Sequence, residues 1–136
     1  MDAPAIPVPA LNATGDNVGA WMAALLAAVD AKDTPRFLTF LAGDASFRFA
    51  NSPAVVGQAA VGAMVGGFLG SIKAVRHVIG ETWAPPGRAI CEGVVTYTRH
   101  DDSTLTAPFV NVFVLRDGLV ADYRIYVDAS ALYATA

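Results

Sequence analysis

Charge is scarce in this chain. Asp, Glu, Lys and Arg make up 15% of the residues and hydrophobic residues 54%, against about 25% and 45–50% in an average domain. Nine basic residues face twelve acidic ones and form no basic stripe, which excludes the phosphate-tracking surface of a nucleic-acid binder. Cysteine occurs once, at Cys91. One thiol excludes an internal disulfide framework and a cysteine-rich metal site, and it suits a reducing cytoplasm. Histidine occurs twice, at His77 and His100, and neither has ligand spacing to a second His or Cys. No metal and no cofactor is therefore expected. No basic segment opens the chain, and Pro4, Pro7 and Pro9 argue against a signal peptide. The most apolar run, Val55 to Ile72, carries Gln58 and five glycines. It reads as a buried helix rather than a membrane span.

What is present is apolar matter in quantity. A chain of 136 residues is one domain. Its surplus of apolar side chains needs a lined cavity, a subunit interface, or both. Residues 1–15 read as a flexible arm rich in Ala, Pro and Asn, with a single domain over 16–136. Val18, Trp21, Met22, Leu25, Leu26 and Val29 recur at helical spacing, with Asp16 or Asn17 as cap. Thr34-Pro35 starts a second, short helix that Gly43 ends. Ala45 to Phe49 reads as a strand. A third helix runs from about Gln58 to Gly70, where Val61, Met64, Val65, Phe68 and Leu69 repeat the spacing. Its internal glycines suggest that the sheet or a ligand approaches closely.

After residue 73 the period becomes two. Strands are expected near 74–83, 88–99, 104–116 and 119–127, with Asp117-Gly118 as a hairpin turn. The fold class is α+β, with three N-terminal helices against one side of a curved antiparallel sheet. On the 104–116 strand, Phe109, Asn111 and Phe113 share one face while Val110, Val112 and Val114 share the other. Both faces are apolar, so both are covered: one by the helices, the other by a second copy of the chain. Arg124, Tyr126 and Asp128 belong to that outer face.

Within so apolar a chain, a few polar residues stand out. His77 shares a strand face with Val75 and Ile79. It is either a satisfied core histidine or a general base, because imidazole titrates near pH 6.5. Asp30 ends the first helix, where the dipole disfavours a carboxylate. It needs a partner, and His77 would make an orienting Asp–His pair. Asn111 between two phenylalanines must find hydrogen-bond partners, as a pocket group or as a core amide. Glu92 and Thr96 share a face with Val94 and are candidate lining, with Glu92 a second acid–base group. Phe47, Phe49, Met64, Phe68, Trp83, Phe109, Phe113 and Tyr123 could wall an apolar ligand.

Three segments together resemble the nuclear-transport-factor-two-like superfamily, in particular its SnoaL-like members. They are Ala28-Val29-Asp30-Ala31-Lys32-Asp33, the stretch Pro53 to Gly57 before the third helix, and Asn111 to Val120 followed by Tyr123-Arg124-Ile125-Tyr126-Val127-Asp128. The resemblance spans about residues 16–133. It implies a cone of curved sheet around the helices, a small-molecule pocket at the open end, and commonly a dimer. This scaffold hosts many chemistries. Its limonene-epoxide-hydrolase-like members have an Arg and two Asp where this chain has Val94, Thr96 and Ile125. Its ketosteroid-isomerase-like members place a proton-donating Asp where this chain has Asn111, but their helix Tyr falls near Leu25 and their base near Arg48 to Ala50. Its scytalone-dehydratase-like members match best: the surroundings of their catalytic His resemble Arg76-His77-Val78-Ile79-Gly80-Glu81-Thr82-Trp83, with their Asp at Asp30 and their Asn at Asn111. Their water-holding tyrosines become Val29 and Phe47 or Phe49, which implies a different substrate.

The resemblance thus implies a cofactor-free lyase, isomerase or cyclase in which His77 moves a proton, Asp30 orients it and Asn111 holds an oxyanion. Two alternatives stand beside it. One is a non-catalytic binder of a hydrophobic metabolite, and the other a module that only dimerises.

Overall fold

The computed structural model describes residues 10–12 and 14–133. The rest of the expected arm and the last three residues of the domain expected over 16–136 lie outside the described residues. Where the arm is described it is tied down. Leu11 packs against the core, and Gly15 lies so close to Ala84 that a Cβ on it would sit 2.6 Å from the alanine Cβ.

Helix α1 (Val18–Asp30) buries Trp21, Met22, Leu25 and Leu26, each aliphatic side chain contributing about 1.5–3 kcal/mol. Asn17 occupies the N-cap position without a side-chain cap bond. Its amide instead binds the incoming chain, accepting from the Asn12 N–H at 2.9 Å and donating to the Ala10 carbonyl at 2.7 Å. The helix ends in a Schellman turn. Lys32 has φ 57°, and the N–H groups of Lys32 and Asp33 donate to the Val29 and Ala28 carbonyls. That turn leaves Asp30 as the last helical residue.

Helix α2 (Thr34–Leu38) is capped by Asp33, whose carboxylate accepts from the Arg36 N–H at 3.1 Å. Thr34 lies inside the helix rather than capping it. Gly43 does not stop this helix, because strand β1 (Leu41–Phe49) has already begun. The two-residue β2 (Val55–Val56), too short to carry a period, precedes α3 (Gln58–Gly70). Strands β3 (Ala74–Trp83), β4 (Arg88–Thr98), β5 (Thr104–Arg116) and β6 (Leu119–Val127) complete the chain.

The sheet order is β2-β1-β6-β5-β4-β3. The β3–β6 meander is antiparallel as expected, but β1 joins β6 in parallel, so the sheet is mixed. At the hairpin between β5 and β6, Asp117 and Gly118 have φ 54° and 77°, the left-handed pair that a tight turn requires. Two register shifts interrupt the meander's ladders, at Ile79/Glu81 and at Val114/Leu115, besides one at Leu41/Ser46 between β1 and β6. The second turns Val120 inward while Leu119 remains 38% exposed.

One face of the sheet wraps the helices. Trp21 sits edge-on to Phe113 at 5.4 Å and to Phe40 at 6.1 Å. Tyr123 packs on Phe113 at 4.3 Å. Helix α3 buries Val61, Val65 and Leu69. Of its glycines only Gly62 is closely approached, by Leu38 at 3.1 Å from an ideal Cβ. Gly66, Gly67 and Gly70 face open space, so the sheet does not approach closely there. Among the described residues no helix is long and apolar enough to cross a membrane.

Candidate functional site

The sheet edge explains where His77 sits. Strand β3 has β4 on one side only, so every second backbone N–H points away from the sheet. The N–H of His77 is taken by the carboxylate of Asp30, whose Oδ2 accepts it at 3.0 Å. The other oxygen, Oδ1, lies 2.6 Å from His77 Nδ1. A carboxylate only accepts, so Nδ1 carries a proton, and in the neutral imidazole the lone pair is on Nε2. The α1 terminus and the edge of β3 thus fix both the position and the tautomer of one imidazole. The pair is sheltered, with side chains 12% exposed for His77 and 26% for Asp30. The imidazole stands edge-on to Phe109, with ring centres 5.2 Å apart.

His77 forms part of the wall of a cavity of about 70 Å³ between the sheet and α3. From the sheet come Phe47, Phe49, Phe109 and Tyr123, and from α3 come Met64 and Phe68, all expected from sequence. Val29, Phe37, Val95, Tyr97 and Ile125 line it as well. For Val95 and Tyr97 a sequence signal existed: Ala89, Cys91, Val95 and Tyr97 alternate along β4 as a second apolar series. The only polar or polar-tipped side chains in the wall are those of His77, Tyr97 and Tyr123. Burial pushes the Tyr97 phenol up to about 12, helped by Tyr133. The cavity has room for a few water molecules, each needing about 10–15 Å³. A ring-sized ligand would need more room than this, and Met64 and Phe68 on the α3 wall are only partly buried.

Five expected site residues lie elsewhere. Glu92 and Thr96 project from the outer face, because the register pairs His77 with Val95 and Asn111 with Cys91, which turns the odd residues of β4 inward. Glu92 borders a shallow outer groove with Val94 and Val110. Trp83 should share the His77 face by parity, but the irregularity at Ile79/Glu81 reverses the alternation and leaves it 42% exposed. Phe113 lies deeper, filled in by Trp21 and Tyr123. Asn111 is buried at 1% exposure yet is not part of the cavity wall. Its Nδ2 donates to the Tyr123 hydroxyl at 3.3 Å, and its Oδ1 has no partner among the described residues. Next to it, burial pushes the Cys91 thiol up to about 12, which makes it a poor nucleophile. No three His, Cys, Asp or Glu side chains gather among the described residues.

A curved sheet wrapped around helices, with a small apolar cavity between them and few polar groups in its wall, defines an α+β cone fold. The sequence matches the SnoaL-like domain over residues 22–123, and the chain belongs to that family. Its fold is shared by an NTF2-like protein of unknown function from Burkholderia pseudomallei (TM-score 0.77, 18% identity, covering 86% of this chain and 95% of that one). A protein assigned as a polyketide cyclase from Xanthomonas campestris superposes with a TM-score of 0.72 at 21% identity (85% and 93% covered). A limonene-epoxide-hydrolase-like epoxide hydrolase from Mycobacterium tuberculosis superposes with a TM-score of 0.69 at 16% identity (80% of each covered). No curated protein matches the sequence.

Proposed function

We propose that this chain is an enzyme that moves a proton on a small, apolar, oxygenated ring compound, without a cofactor, by dehydration, isomerisation or cyclisation. One observation carries this reading: two hydrogen bonds to Asp30 hold His77, in the tautomer whose Nε2 can act as a base, in the wall of an apolar cavity. Nε2 takes the proton from a carbon beside a carbonyl, and the C–H electron pair moves into an enolate. The imidazolium then returns the proton, to a second carbon in an isomerisation or to a departing hydroxyl in a dehydration. Asp30 stabilises the imidazolium in between.

The test is solvent deuterium exchange into a panel of small cyclic ketones, followed by NMR. Wild type is expected to accelerate exchange, and His77→Ala to lower that rate by about 10²–10⁴. Equal rates for the two proteins, with ligand affinity retained, would favour the non-catalytic binder, which the otherwise apolar lining also suits.

For the outer sheet face we propose a second copy of the chain. Val78, Val94 and Tyr126 are 55%, 43% and 56% exposed there. Glu81 and Glu92 flank them toward β3, Arg48 and Arg124 toward β1. A two-fold axis along β5 would lay the β3 flank of one copy, with Arg76, Glu81 and Glu92, on the β1 flank of the other, with Arg48, Asp122 and Arg124. Light scattering is expected to show twice the chain's 14.1 kDa; a particle at the single mass would refute it.

A further inference from the structure

Tyr123 is 2% exposed, yet it borders the same cavity as His77. Its phenol oxygen accepts a hydrogen bond from Asn111 Nδ2 at 3.3 Å. A phenol both donates and accepts. With Asn111 donating to the oxygen, the hydroxyl proton has no acceptor among the described residues. The ladder shows where that hydroxyl reaches. The Tyr123 backbone pairs with Phe113, two rungs from the Asn111–Ile125 pair and four from the Phe109–Val127 pair, and the bond to Asn111 shows that the side chain leans in that direction. Phe109 is the ring on which His77 packs. Burial, with Cys91, Tyr97 and Asp30 adding to it, pushes the phenol well above its ordinary value, so the proton stays available for donation.

Asn111 is constrained from the other side. It is the one buried polar residue of the core, and its Oδ1 has no partner among the described residues. A leucine of similar volume would fill the site without leaving a buried acceptor unpaired. Packing therefore does not explain the amide, whereas holding the phenol oxygen of Tyr123 does.

We propose that Tyr123 donates a hydrogen bond to the oxygen of the bound compound, across the cavity from His77, and that Asn111 is the positioning residue that directs this hydroxyl. The ligand class is a ring carrying a carbonyl, enol or phenol oxygen. The assignment rests on reading the cavity as a site for such compounds, but not on turnover. It also transfers the oxyanion role from Asn111 to the group that Asn111 holds.

The test compares phenol with toluene, which has the same shape but lacks the oxygen, by NMR titration of the whole chain. Tyr123→Phe keeps the ring and is expected to weaken phenol binding about ten-fold while toluene affinity stays within about two-fold. Asn111→Ala is expected to cause the same selective loss, smaller at about three-fold. The phenol-to-toluene ratio is the readout that a merely loosened core would not move. Unchanged phenol affinity in Tyr123→Phe, equal losses for both probes, or no phenol binding by wild type would each overturn the assignment. A selective loss in Tyr123→Phe without one in Asn111→Ala would overturn the positioning role. Failure of ketone exchange with phenol selectivity intact would count against the enzyme reading and not against this one.

Discussion

Asp30→Asn is expected to lower the rate of ketone exchange by about 10³–10⁴ while leaving the chain folded. The reason lies in donor counting. Asp30 accepts twice from His77, once from the backbone N–H and once at Nδ1. An asparagine has one acceptor oxygen and one amide that only donates. If the oxygen keeps the backbone N–H, the amide faces Nδ1 and forces the other tautomer. Nε2 then carries the proton, and the base becomes a donor. The helix C-terminus lends no compensation, since its dipole acts on both side chains from the same place. Nitrogen NMR on labelled histidine reads the tautomer directly. A variant with the wild-type rate, or with Nδ1 still protonated, would refute the role given to Asp30.

Gly93→Ala is the second large effect, this time on stability. Gly93 pairs with Ile79 beside the irregularity in the β3–β4 ladder. An ideal Cβ on it would lie 2.1 Å from the Val78 oxygen and 3.0 Å from the Val78 carbonyl carbon. Both are backbone atoms, so no rotamer change relieves the overlap. The strands must separate, and β3 is an edge strand with no second strand to hold it. We expect a loss of about 3 kcal/mol, which lowers the melting temperature by about 10 °C. Because His77 lies two residues from Ile79, exchange activity should fall as well. A melting temperature within about 2 °C of wild type would show that the ladder relaxes at no cost.

Within each element, periodicity carried the reading far. The stripe from Val18 to Val29, the bounds of α3 and the Asp117-Gly118 turn were all legible. So was the need of Asp30 for a partner, because a carboxylate at a helix C-terminus is a local electrostatic problem. What periodicity does not contain is which strand face points inward. Glu92 and Thr96 form a plausible face until the pairing of His77 with Val95 turns them outward. Trp83 obeys the right parity and is then displaced by one irregular rung. Asn111 does point inward, but a hydrogen bond to Tyr123 is a relation between strands that no single segment displays. The parallel pairing of β1 with β6 joins residues more than 70 positions apart, as in Phe47 with Tyr123. It is invisible for the same reason.

The exposed glycines of α3 bear on how the cavity grows. Gly66, Gly67 and Gly70 touch nothing on their outer side, and each makes the helix about 1 kcal/mol weaker than alanine would. The same helix supplies Met64 and Phe68 to the cavity wall. That wall is therefore also the element that holds its own shape least firmly. Under the proposed function, α3 is the side of the cavity that would give way to a guest, opposite the sheet that carries His77.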